Sequence, residues 1–230
     1  MIKELKSDIE TFTQGFFEEL KKDSEKYEFS PLKIGITQHG EELKLGFSCL
    51  ALKCYFILGL WDELSLEEQK KWIDFINSFQ QENKSFPSGS YIDMAFLNEH
   101  NHKSLQKIAK NQIKQVLNLS KKFNYSTDKK KLNDAIRAES KQAISTLFQV
   151  GEKNNIKYLD FPQNVNDISL FLENLNWNFP WSAGAQFSAM CVFSRTQLND
   201  DDFEHCKEAY YKFISKITNS KDGAYYLNNT

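Results

Sequence analysis

The sequence predicts an all-α fold of helical hairpins, and three features carry that expectation. Apolar residues recur at three- and four-residue steps along nearly the whole chain, the period of a helix with one buried face. β-rich words are few and short; residues 33–37 and 156–159 are the clearest, and both read as loops. Helix ends are marked by capping words and by Gly or Pro.

Taken in order, Ile2, Leu5, Ile9, Phe12, Phe16 and Leu20 form the first apolar stripe. A turn-rich stretch over 23–40, holding Pro31, separates it from a nearly all-apolar helix over 42–60, which reads as central and fully packed. Ser65 and Glu68 make a capping box: the serine oxygen takes a free backbone N–H while the glutamate reaches back. The helix they open carries Trp72, Phe75, Ile76 and Phe79 on one face and gives way to a turn at Pro87-Ser-Gly89. Two amphipathic helices over 105–123 and 132–150 follow, separated by a polar stretch, with Gly151 placed to end the second. In that stretch, Lys129–Lys131 reads as a solvated loop. A shorter helix covers 167–175. A helix opened by Ser182 as N-cap runs to Arg195, and a last one starts at Asp201 or Asp202 and reaches Ile217.

Composition narrows the class. The chain has 230 residues, 40% of them apolar, with 19 Phe, 9 Tyr and 4 Trp, so it can bury a large core, and a single domain over 1–230 is the expectation. Net charge is −2 with both signs interleaved, and no basic stripe of the kind that follows a phosphate backbone stands out, so nucleic acid is not the expected partner. Cys49, Cys54, Cys191 and Cys206 form no CxxC word and read as buried reduced thiols. The most apolar run, 47–60, contains Lys53 and is shorter than the roughly 20 residues a spanning helix needs. The start of the chain is a charged amphipathic helix rather than a signal peptide, and the expected address is cytoplasmic.

Two segments align as a degenerate repeat. Trp72–Gln80 followed by Phe86 matches Tyr210–Thr218 followed by Tyr225: an aromatic amphipathic helix, polar residues, then an aromatic. The second copy contains Asp222-Gly223, a turn in which glycine supplies a positive φ. With Phe75, Ile76, Phe79, Gln80 and Phe86 in one copy and Phe213, Ile214, Asp222, Gly223 and Tyr225 in the other, the pattern resembles the repeats of the prenyltransferase and squalene/hopene-cyclase superfamily. The word Trp181–Ala185 is similar to one in bacterial toroid-like proteins. The resemblance covers about a third of the chain. It implies an α/α toroid, with helix pairs arranged around a central cavity. The chain has fewer helical segments than a complete ring, so it implies a ring that is open, truncated or completed by a partner.

Chemistry is sparse. The Asp-x-Asp-Asp acid of the cyclases does not occur. His205-Cys206 is the one adjacent His/Cys pair; neighbouring helix residues point about 100° apart, so the two are not expected to share a metal, and no metal or cofactor is expected. Asp200-Asp201-Asp202-Phe203-Glu204 contains a DDxxE word, but acids at a helix start cap N–H groups and complement the dipole. His39, His100 and His102 read as loop or helix-end residues. Arg137 and Glu139 read as an ion pair on a helix rim. No GxSxG, P-loop, HExxH or GxGxxG word occurs.

What is left is a candidate aromatic-lined cavity. Trp61, Tyr91, Asp93, Trp177, Trp181 and Gln186 would line it, with Asp222 as a further candidate, and aromatic walls with a few polar groups suit an isoprenoid or a sugar. The competing reading is that these aromatics fill the core. The leading expectation is a toroid-like binding or scaffold domain for a small ligand or a protein partner. The alternatives are an enzyme on the same fold, terpenoid-cyclase-like or acting on carbohydrate through Asp93 and Asp222, and a helical-repeat interaction module.

Overall fold

The computed structural model describes residues 2–23, 27–82, 85–101, 105–120, 125 and 127–223, and the fold is all-α. Ten α-helices and one short 3-10 turn account for most of the described residues. They divide between two compact units: Met1–Glu82 with Ser90–Asn155, and Asn83–Gly89 with Ile156–Thr230.

The first unit begins with α1 (Ile2–Leu20). Among the stripe residues whose side chains the structure describes, only Leu20 is buried. Ile9, Phe12 and Phe16 are exposed, and burial falls on Phe17 and Leu20. Near the C-terminal end of α1, Phe17 packs on Phe29 and Tyr55 at ring distances of 6.0 and 5.5 Å. In and beside the expected turn region are three short elements that local pattern did not reveal. Strands β1 (Lys21–Asp23) and β2 (Glu28–Phe29) pair antiparallel, and the one-turn helix α2 (Gln38–Glu42) is capped by Thr37.

Helix α3 (Leu45–Leu58) buries Leu45, Ser48, Cys49, Ala51, Leu52 and Tyr55. It is not packed all round: Leu50 and Ile57 are exposed, because the neighbouring elements cover one side only. Its end is a Schellman turn. Gly59 takes φ +78°, and the Leu60 N–H bonds back to the Tyr55 carbonyl at 2.9 Å. The capping box opens α4 (Leu66–Asn77) as expected, with both Ser65 and Glu68 bonds present.

Helix α5 (Met94–Asn101) was not legible in the sequence; its apolar residues show no clear face. After α6 (Leu105–Leu119), α7 (Asp128–Gln149) starts a turn earlier than expected. Thr127 accepts the Lys130 N–H, and this cap draws Lys129–Lys131 into the helix, so the lysine run is an exposed first turn and not a loop. Gly151, at φ +83°, ends α7 in the expected position.

The core of this unit centres on Trp72, which is 1% exposed. Tyr27 and Phe29 stack on it at 4.8 and 5.4 Å, and Tyr55 meets it edge-on at 5.1 Å. Tyr27 holds this place at φ +55°, a conformation unfavourable for a bulky residue that the buried stack offsets.

The second unit contains α8 (Val165–Asn174), α9 (Pro180–Gln197) and α10 (Asp200–Ile217). Ser182 is not the N-cap of α9. The helix starts at Pro180 with Phe179 in the capping position, since proline lacks an N–H and fits the first helical turn. Helix α10 is capped by Asn199, whose side chain accepts the Asp202 N–H at 2.8 Å, and the three aspartates fill its first turn. The core is built on Phe193, against Tyr158 at 4.5 Å and Phe161 at 5.6 Å. Gly89, at φ +78°, lies against the Lys157 backbone so closely that a Cβ would fall 2.5 Å from its carbonyl oxygen.

Candidate functional site

Chain segments from four places in the first unit meet at the N-termini of α3 and α5. Asp93 is the organising side chain and is only 4% exposed. One carboxylate oxygen accepts the Lys44 and Leu45 N–H groups at 2.7 and 3.1 Å; the other accepts the Ala95 N–H at 3.1 Å. A residue 48 positions away thus supplies the cap that the start of α3 lacks locally. The segment is fixed from its other side too. Phe79 and Ile92 share a backbone bond of 2.9 Å, Gln81 and Ser90 one of 2.8 Å, and the Tyr91 N–H donates to Ser140 Oγ on α7 at 3.0 Å.

These contacts frame a cleft of about 330 Å³, lined by Glu42, Lys44, Ser78, Phe79, Gln81, Ile92, Asp93, Met94 and Ala95. Three of its polar side chains are engaged within the protein, while Glu42 is exposed. The Lys44 ammonium pairs with Glu28 at 2.7 Å, the Ser78 hydroxyl donates to the Phe75 carbonyl at 2.6 Å, and Asp93 serves as the cap. The apolar part is Phe79, Ile92 and Met94, the last of them exposed.

The residues singled out from sequence fall in both units. Of those in the first, only Asp93 lines the cleft. Trp61 is buried in the 3-10 turn Trp61–Glu63, its ring 6.2 Å from Trp72. Tyr91 is fully buried, its hydroxyl hydrogen-bonded to Asn77 Oδ1; burial pushes that phenol well above its ordinary range. In the second unit, Trp177 donates from Nε1 to the Leu172 carbonyl at 2.9 Å and lies 5.3 Å from the Phe213 ring. Trp181 is 92% exposed, so the two tryptophans do not share a pocket mouth. Gln186 is half-buried on α9, and Asp222 is exposed in the turn before Gly223, which takes φ +72°. In the Trp181–Ala185 word, Ala183 is buried but Gly184 makes no close approach. A Cβ at Gly184 would meet nothing within 4 Å, and Ala185 is exposed.

One other expectation changes. Arg137 pairs with Asp134 at 3.4 Å rather than with Glu139, because residues two apart on a helix face different ways. Glu139 turns toward α3, its Oε1 4.0 Å from where a Cβ on Gly46 would sit. On α10, His205 is exposed, its ring nitrogen bonded to the Asp201 carbonyl, whereas Cys206 is buried. Among the described residues no group of three His, Cys, Asp or Glu side chains is placed to hold a metal ion, and no helix is long and apolar enough to cross a membrane. His102 and Tyr225 lie outside the described residues.

Sequence reasoning missed Phe79, Ile92 and Met94 as cleft residues. Ile92 and Met94 flank Asp93 directly, but only the pairing of 79–81 with 90–92 shows that Phe79 joins them.

Fold and site together define a helical protein with aromatic cores and a small cleft where Lys44, Ser78 and Asp93 are bonded internally. Compared with known families, curated proteins and solved structures, the chain matches none.

Proposed function

We propose that this chain is a non-catalytic binding domain whose ligand is apolar, of the isoprenoid kind, and that the cleft beside Asp93 receives it. One observation carries the reading: Lys44, Ser78 and Asp93 at the cleft are engaged within the protein, leaving Phe79 and Met94, backed by buried Ile92, as an apolar wall, with Glu42 as an exposed charge at its edge. A sugar site needs polar groups converging on the ligand, whereas an isoprenoid needs apolar walls. Both oxygens of the Asp93 carboxyl are also taken up by backbone N–H donors that fix it as the cap of α3. This argues against Asp93 as a catalytic acid. The superfamily resemblance adds the expectation of a toroid-like helical arrangement, open or completed by another chain. The four free thiols agree with a reducing, cytoplasmic setting.

Thermal shift against prenyl alcohols, prenyl diphosphates and oligosaccharides tests this. The expected result is stabilisation by the prenyl compounds only, lost in Met94→Lys, which puts a charge on the apolar wall. Stabilisation by oligosaccharides alone would reverse the ligand class, and no shift with any probe would point to a protein partner instead.

A further inference from the structure

The junction where α3, α7 and the 90–95 segment meet holds two carboxyl groups, Asp93 and Glu139. Asp93 is committed to three N–H donors. Glu139 has neither a hydrogen bond nor an ion pair among the described residues. The basic groups nearby have other partners: Lys44 pairs with Glu28, Lys53 donates to Ser145 Oγ at 3.0 Å, and Arg137 pairs with Asp134. From α3, the titratable groups on this side are Cys49 and Lys53, with Gly46 leaving room for the Glu139 carboxyl. Helix α4, also packed on α7, buries only Trp72, Ile76 and Asn77, none of which titrates. On α7 itself, Ser140 holds the Tyr91 N–H next door, and Lys141 and Asp134 are the other ionisable neighbours.

We propose that Glu139 is a proton-linked lock on this junction: protonated, it sits neutral beside Asp93 and the cap on α3 is tight; ionised, it repels Asp93 and loosens that cap. Half-buried Glu139 has no cation and sits on a helix bonded to the same segment as Asp93, so holding a proton relieves the repulsion that would otherwise bear on that segment. Burial, and after it the Asp93 charge, push its carboxyl from 4.5 up to about 7. The sign follows from that direction. The folded value lies above the unfolded one, so the contribution to stability is complete below 4.5 and is lost as pH rises through about 7. Cys49 does not reverse this, because burial pushes its thiol up to about 12 and keeps it neutral across the window.

An NMR pH titration reads the lock directly. The Glu139 side-chain carbon should titrate near 7, and the Lys44, Leu45 and Ala95 amide protons, which bond to Asp93, should move with the same midpoint. In Glu139→Gln those amide shifts should stay flat. Amide exchange at Lys44 and Leu45 should be roughly tenfold faster in the wild type than in Glu139→Gln at pH 8, and equal at pH 5. A Glu139 midpoint near 4.5 in the unaltered protein, which needs no variant to fold, overturns the proposal. So do amide titrations that persist unchanged in Glu139→Gln.

Discussion

The Trp72 indole N–H donates to Ser48 Oγ at 2.9 Å, and both residues are buried. This bond lets an indole ring sit wholly inside an aromatic cluster, since a buried donor without a partner costs about 1–3 kcal/mol. Ser48→Ala removes the acceptor and leaves the indole N–H orphaned. The variant should lose about 2 kcal/mol in urea unfolding followed by tryptophan fluorescence. Unchanged stability would mean that another acceptor takes the N–H.

Gly89 and Gly59 have the same φ of +78° but different surroundings. At Gly59 a Cβ meets nothing within 4 Å, so Gly59→Ala carries only the backbone cost, about 1 kcal/mol. At Gly89 a Cβ would strike the Lys157 carbonyl oxygen and carbon at 2.5 and 2.8 Å. Gly89→Ala should therefore cost at least about 2 kcal/mol and lower the thermal midpoint more than Gly59→Ala does. Equal effects in the two variants would refute the close approach.

How far this fold could be read in advance depended on whether the deciding contact was local. The Ser65–Glu68 box spans one turn and was legible, as was Gly151 at the end of α7. The outward side of α3 was not. A helix apolar on every face has no periodicity, so nothing in 45–58 distinguishes exposed Ile57 from buried Leu52. The start of α9 was misplaced because Ser182 is a good cap residue, yet Pro180 fits N1 two positions earlier. Within the site, Asp93 could be named as a polar residue among apolar ones. Its role as the cap of α3, and the approach of Glu139 to Gly46, are contacts between segments far apart in sequence, and no local pattern encodes them.

Trp177 and Trp181, four residues apart, should respond oppositely to truncation. Trp177 packs on Phe213 and bonds to the Leu172 carbonyl; Trp181 stands in solvent. Trp177→Ala should cost about 2–3 kcal/mol, less than a fully buried tryptophan because the ring is half-buried, whereas Trp181→Ala should change stability by less than about 0.5 kcal/mol. Trp181 should also be the indole most readily quenched by iodide. Comparable losses in the two variants would contradict this placement.

The four thiols should separate by burial. Cys49 and Cys206 are buried, and Cys54 and Cys191 half-buried. Burial pushes the Cys49 thiol up to about 12 and the Cys191 thiol up to about 11, and it raises Cys54 and Cys206 as well. Thiolate is the reactive form, so at pH 8 none of the four should react with a disulfide reagent at the rate of a free cysteine. In the folded protein labelling should be slow and confined to Cys54 and Cys191, and in denaturant all four should react at once. Peptide mapping by mass spectrometry assigns the sites. Cys49 is the stringent case, because it lies between α3 and α7 close to Glu139, with a side chain that is 0% exposed. Rapid labelling of Cys49 under native conditions would show that this interface opens far more often than its packing implies.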